Sequence, residues 1–391
     1  MPRELADFNL SEEQIEFRDT LRRFFEEHSP ITVVRDVMGE GGGHSTGLWK
    51  LASEELGLSG IAIPEGCGGQ GFGRKELALA LGEVGRSLAP IPLFASAALA
   101  GRVVEAVAGE SKEWLEPIAL GEIATLAWVE GEGGAASAGG WDPARVSMLA
   151  EPDGDGFRLG GTKDFVLAAA QANRIFVVAR LPGSEGDEGV GLFAVDAGAE
   201  GVSVVPRETL DLTRPLYSVR LEGAPARAVG ATDRALAGIR QGLDEAGALL
   251  AAEMVGGMQQ VLETAVGYAA ERHQFSRPIG SFQAIKHKCA NLLIDFEGAR
   301  TVADGAVVAF DEEDPEAGLL ASVAKAHVGP AYVRMAIESG QIQGGVGYTW
   351  EYDAHLYFRR ALAGQAMLGD ETVHRDRLIG LVTDQLAEGA A

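Results

Sequence analysis

Basic residues are scarce in this chain. Its 391 residues hold 33 Lys and Arg against 57 Asp and Glu, a formal charge of −24. No basic block stands out, which argues against nucleic acid and against an anionic membrane surface as partners. An anionic ligand must therefore find a local basic pocket inside a repelling field. Cysteine is also rare. Cys67 and Cys289 fall in different elements and read as free thiols of a reducing compartment, not as a disulfide framework. No uncharged run reaches the ~20 apolar residues of a spanning helix. The N-terminus is acidic and polar, without an apolar signal core. No His/Cys/Asp spacing suggests a metal. These absences point to a soluble cytoplasmic protein. The hydrophobic fraction of 46% supports buried cores, and the length allows about two to three domains.

Periodicity divides the chain into three regions: 1–120, 121–230 and 231–391. The first is helical. Ser11 and Gln14 form a capping box, with Ile15, Leu21, Phe24 and Phe25 on one apolar face. Helical patterns recur over 47–56, 75–88 and 94–107. In the second region, short apolar runs alternate with turn residues. Strands are predicted at 125–129, 157–159, 175–179, 190–195, 202–205 and 218–221. The Gly/Ala/Ser-rich run 131–140 reads as a mobile loop. The pattern suggests an antiparallel barrel or sandwich. The third region carries long helical segments over roughly 231–271, 281–310, 315–340 and 351–384, which suggests an antiparallel four-helix bundle.

The most informative stretch is Glu271-Arg272-His273-Gln274-Phe275-Ser276-Arg277-Pro278-Ile279-Gly280, followed by Ser281-Phe282-Gln283. It closes a long helix and opens into a turn set by Pro278 and Gly280. Arg272 offers a fixed cation for a phosphate, and Phe275 a flat apolar face for an aromatic ring. A dinucleotide such as FAD needs both. Alone, Arg272 reads as a surface arginine favoured at a helix C-terminus, and Phe275 as packing. The joint spacing, with Gln341-Ile342-Gln343-Gly344-Gly345-Val346-Gly347 downstream, closely resembles the acyl-CoA dehydrogenase family over essentially the full length.

That resemblance implies a three-domain fold, with a helical domain, a β domain and a helical bundle. It implies FAD at a subunit interface of a tetramer. Arg272, Phe275, Phe282, Gln283, Gln341, Gly344 and Gly345 would face a flavin belonging to the neighbouring subunit. Phe165 matches the aromatic residue that lies on a subunit's own flavin. The reaction implied is α,β-dehydrogenation of an acyl-CoA to a 2-enoyl-CoA, with an electron-transfer flavoprotein as acceptor. It requires a carboxylate base at the substrate α-carbon.

Three family features are missing. The usual base position is Leu368. The alternative position on the first bundle helix is Ala246, with Glu245 and Asp244 beside it; one residue on a helix is a rotation of about 100°. Glu245 is the candidate base on this chain, while Asp370 reads as a solvated loop charge. The family's Trp-x-Thr is Phe165 and Leu167, so a hydroxyl is lost. Its Thr-Glu-Pro-Gly-x-Gly-Ser element is Val129-Glu130-Gly131-Glu132-Gly133-Gly134-Ala135. Residues that a chain lends to a neighbour's flavin are retained, and those used on its own flavin are degraded. Two further readings follow: a catalytically silent partner subunit of a heteromeric acyl-CoA dehydrogenase that completes the FAD site in trans, and a flavin-dependent oxidase of the same fold. The stretch from Gly347 through Tyr357 resembles the actinobacterial and steroid-degrading branch. Trp350 reads as core packing, and Arg359 and Arg360 as salt-bridging groups.

Overall fold

The structure, a computed structural model, describes residues 10–39, 41, 43–131, 140–232 and 234–388. Glu132 and most of the expected 131–140 loop lie outside the described residues.

Helix α1 (Glu12–His28) opens on the capping box: Gln14 N donates to Ser11 Oγ at 3.2 Å, and Ser11 N to Gln14 Oε1 at 3.0 Å. Its buried face carries Leu21, Phe24 and Phe25. Then follow α2 (Ile31–Gly39), α3 (Thr46–Leu56) and α4 (Arg74–Ser87). A π-helical run, Phe94–Ala100, leads into α5 (Gly101–Ala108), and α6 (Lys112–Ala119) closes the region. Helices α2 and α6 are short, and the sequence periodicity does not mark them individually.

The sheet region comprises β1 (Ala124–Ala127), β2 (Leu149–Asp153), β3 (Gly156–Leu167), β4 (Arg174–Arg180), β5 (Val190–Asp196), β6 (Val202–Pro206) and β7 (Leu216–Val229). Strand β4 pairs with β5 along its length and with β2 at one position, closing the path β4–β2–β3–β7–β5. Most pairings are antiparallel, but β1–β4 and β2–β4 are parallel. The chain reaches β4 from β1 only after the β2–β3 hairpin, a crossover long enough for parallel pairing. On β4 the two-residue period separates two cores. Ile175, Val177 and Ala179 face the barrel interior, while Phe176 and Val178 face the core shared with the helices.

Beyond the sheet come α7 (Ala235–Glu271), a two-strand hairpin β8 (His273–Gln274) and β9 (Arg277–Pro278), α8 (Gln283–Asp311), α9 (Ala317–Gln343), α10 (Ala354–Ala366) and α11 (Glu371–Glu388). Helices α4 and α7 cross at backbone contact. A Cβ on Gly256 would sit 1.8 Å from Gly82 O, and one on Gly85 2.0 Å from Glu253 O. The last segment, expected as one helix over 351–384, is two. Leu368 (φ 60°) and Gly369 (φ 96°) break it. Asp370 Oδ1 then accepts from Thr372 N at 3.0 Å and Val373 N at 3.1 Å, capping α11. The Asp370 carboxylate is thus a helix cap.

A buried ion cluster joins sheet and bundle. Arg360 on α10 donates to Asp211 Oδ2 (2.8 Å), Glu253 Oε1 (2.9 Å) and Thr213 Oγ1 (2.5 Å). Arg214 also pairs with Glu253. Among the described residues, no helix is long and apolar enough to cross a membrane.

Candidate functional site

The hairpin after α7 presents its residues outward. Arg272 caps the helix, its N–H bonded to Tyr268 O. The pairs His273–Pro278 and Gln274–Arg277 leave Phe275 and Ser276 as a two-residue turn, both at positive φ (51° and 61°). This turn type ordinarily takes Asn-Gly, so a phenylalanine here holds local strain. Phe275 is 87% exposed. Its ring meets the half-buried Phe282 edge-on at 6.1 Å, and the Arg277 guanidinium lies 4.0 Å from the Phe282 centroid. Gln283 is exposed and contacts His287 at 3.0 Å. Arg272 is exposed, and its guanidinium has no ion pair among the described residues.

At the end of α9, Gln341, Gly344 and Gly345 are likewise exposed. Gly344 has φ 70°, and a Cβ at either glycine would meet nothing within 4 Å. Packing within the chain does not require them to be small, although the Gly344 backbone favours glycine. Nearby Trp350 is 53% exposed, so it is not the core residue expected from sequence. It stacks on His355 at 4.7 Å, with Arg35 and Arg359 at 5.8 and 5.6 Å.

A second locus surrounds the position where the family base is expected. Leu368 is buried (8% exposed) and lines a cavity of about 390 Å³. Trp128 and Trp141 form an aromatic wall, 5.6 Å apart between centroids. Leu243, Asp244 and Gly247 come from α7, and His374 and Arg377 from α11. The 100° step along α7 separates the two candidate carboxylates. Asp244 lines the cavity; Glu245 is not among its lining residues. Glu245 is buried against α4 and α5, with Oε1 3.1 Å from Arg74 Nε and 3.8 Å from Arg102 Nη1. Burial raises its pKa, and the two arginines oppose that shift. Asp244 is also pushed up by burial, against a paired contact from both terminal nitrogens of Arg377. A carboxylate clamped in this way is poorly placed to accept a substrate proton. Trp141, His374 and Arg377 were not singled out by sequence. The signal available was a cluster of polar residues just after the Leu368-Gly369 break.

The expected own-flavin contacts lie on β3. Phe165 has φ 57° and is half-buried, with the Arg207 guanidinium 4.7 Å over its ring. Leu167 is buried and lines a gap of only about 10 Å³, shared with His44, Phe94 and Arg214. That is room for about one water. Beneath them, buried Lys163 pairs with Glu130 at 2.5 Å. Burial lowers the Lys163 pKa to about 8, and Glu130 works against it.

Fold and site together define a three-domain flavoprotein oxidoreductase. The comparisons name the family. The acyl-CoA dehydrogenase N-terminal domain matches residues 11–122, the middle domain 134–218 and the C-terminal domain 236–380. Acyl-CoA dehydrogenase IpdE2 of Mycolicibacterium smegmatis is 31% identical, over 92% of this chain and 96% of that protein. A Tcur3481–Tcur3483 steroid ACAD variant is 32% identical with a TM-score of 0.84, covering 96% of this chain and 99% of its own. The ChsE4–ChsE5 complex from Mycobacterium tuberculosis is 27% identical with a TM-score of 0.84, covering 98% and 99%. The chain belongs to the acyl-CoA dehydrogenase family, whose cofactor is FAD. Its residues fit that cofactor in kind: the hairpin carries an exposed guanidinium, Arg272, and an exposed ring, Phe275, and the end of α9 carries open glycines.

Proposed function

We propose that this chain is the base-lacking subunit of a cytoplasmic, heteromeric acyl-CoA dehydrogenase, assembled as a tetramer with a related chain. The observation that carries this is a contrast within one molecule. Phe275 stands 87% exposed on a strained turn beside Arg272, while the base position holds a buried leucine, Leu368. The relatives point the same way, because two of the similar structures are named as pairs, Tcur3481–Tcur3483 and ChsE4–ChsE5.

In this reading Arg272 grips the diphosphate of the partner's flavin with charge-assisted hydrogen bonds. Phe275 and Phe282 would pack against its aromatic parts, while Gln283, Gln341, Gly344 and Gly345 would offer amide and backbone groups to it. Bound FAD supplies the two-electron acceptor. The partner contributes the carboxylate that removes the substrate α-proton, and the assembly converts an acyl-CoA to its 2-enoyl-CoA. An electron-transfer flavoprotein then takes the electrons.

The test is purification of this chain alone and with a related chain, measuring FAD per chain and turnover with a dye acceptor. The reading expects FAD and activity only in the co-purified assembly, with Arg272→Ala in this chain releasing the flavin. A yellow, active protein from the single chain overturns it. Oxygen uptake in place of dye reduction would instead mark an oxidase.

A further inference from the structure

A cavity of about 600 Å³ lies between α1, α4, α7 and α8. It sits on another face of α7 from the Leu368 cavity. Ala252, Val255, Gly256 and Gln259 line it, where Leu243, Asp244 and Gly247 line the other. At the helical step of about 100° per residue, the two sets stand roughly 120° apart. The volume falls within the usual range for small-molecule sites. Leu79 of α4, Val255 of α7, and Phe296 and Val308 of α8 give it apolar walls.

The polar groups in these walls offer acceptors. Asp304 on α8 is half-buried, and its carboxylate forms no hydrogen bond or ion pair among the described residues. Burial pushes its pKa up; the charges of Arg300 and Lys75 oppose that shift and Glu297 adds to it. Thr301, three residues earlier on the same helix face, donates its hydroxyl to Glu297 O at 2.8 Å, so its oxygen is left to accept. Gln259 donates Nε2 to Glu263 at 3.0 Å, which leaves Oε1 as an acceptor. The cations of the lining are committed. Arg18 Nη2 pairs with Asp19 at 2.9 Å and Arg300 Nη2 with Glu297 at 2.6 Å, and Lys75 is not free either. Glu83, the other acid of the lining, is taken by Arg22 at 2.6 Å. An anion therefore finds no uncommitted cation here, while an ammonium finds a carboxylate and two neutral acceptors. The chain's charge of −24 also draws cations and repels anions.

We propose that this cavity is a non-catalytic binding site for an amphiphilic cation, a hydrocarbon body carrying one protonated amine, whose ammonium pairs with Asp304 while the hydrocarbon packs on Leu79, Val255 and Phe296. The site takes the opposite charge to an acyl-CoA. It does not depend on which subunit holds the flavin or the catalytic base.

The test uses the purified assembly and three probes of one chain length: octylamine, 1-octanol and octanoate, titrated at neutral pH by calorimetry. Octylamine should bind roughly 5- to 10-fold tighter than octanol, the worth of one charge-assisted hydrogen bond reduced for a half-exposed site, and octanoate weakest of the three. Asp304→Asn keeps the side-chain shape and should erase the preference for the amine. Gly305→Phe should weaken binding of all three by obstructing the cavity that Gly305 lines. A Cβ at Gly305 meets nothing within 4 Å, and phenylalanine is a better helix former than glycine, so this variant should fold. Equal affinity for amine and alcohol, or a preference that survives Asp304→Asn, would overturn the assignment to a cation, as would octanoate binding tightest. Binding unaffected by Gly305→Phe, or no binding of any probe, would overturn the site. FAD content measured on the same samples reports separately on the flavin reading.

Discussion

Replacing Phe275 with glycine separates what this residue does for its own chain from what it does for a flavin. In the free chain, the left-handed backbone at Phe275 costs roughly 1–2 kcal/mol, and glycine removes that strain. Glycine also gives back about 0.4–1 kcal/mol through the extra freedom of the unfolded chain. Loss of the exposed edge-on contact with Phe282 removes about 0.5 kcal/mol more. These effects offset, so flavin-free stability should change by under about 1 kcal/mol, or about 1–2 °C for a chain of this size. Against a flavin the ledger is one-sided. A ring that is 87% exposed in the chain alone would become buried on the cofactor. Forfeiting that burial costs roughly 1.5–3 kcal/mol, a weakening of about 10- to 150-fold. Thermal melts of flavin-free protein, and FAD titration of the assembly followed by flavin fluorescence, measure the two quantities. A melting point lower by more than about 3 °C, or an unchanged FAD affinity, would refute the reasoning, because Phe275 would then serve the fold and not the cofactor.

Arg360→Met leaves Asp211 without its cation in a buried setting, and breaking such a pair costs about 3–5 kcal/mol. The melting point should fall by about 4–6 °C, whereas an unchanged melt would mean the cluster does not hold sheet to bundle. The His374 pKa lies at about 4 in the fold against 6.5 in the unfolded chain. Between those values the unfolded chain binds more protons, so stability falls as pH drops from 6.5 to 4, by up to about 1.4 kcal/mol per pH unit. A series of melts across that range should steepen on the acid side, and His374→Gln should reduce the slope, leaving the share of His44, whose pKa burial also lowers to about 4. Asp370→Ala removes the cap of α11 and should cost about 1 kcal/mol, read by the same melts.

Much of the fold is written in local pattern. Ser11 and Gln14 announce a helix start, the unbroken apolar run on β4 suits a strand with two buried faces, and Leu368-Gly369-Asp370 contains a helix stop and a new cap. That last signal was overridden by the helical period on either side, so two helices read as one. The parallel β1–β4 pairing was not legible, because local spacing carries no information about which strand returns beside which. Within the site, the Arg272-to-Gln283 motif is contiguous and could be read directly. The Leu368 cavity could not, because its walls come from the segment after β1 and from α7, α9 and α11, and meet only in the folded chain.

Residue order alone set the helix and strand periods, the acidic charge, the hairpin chemistry and the absence of a carboxylate at position 368. These depend on neighbours a few positions apart. Only the tertiary structure decided that Asp244 faces the cavity while Glu245 is buried between two arginines, that Arg360 closes on Asp211 across the sheet–bundle boundary, and that Phe275 is left uncovered. Burial and ion pairing arise from helix crossings and chain returns, which bring together side chains far apart in sequence.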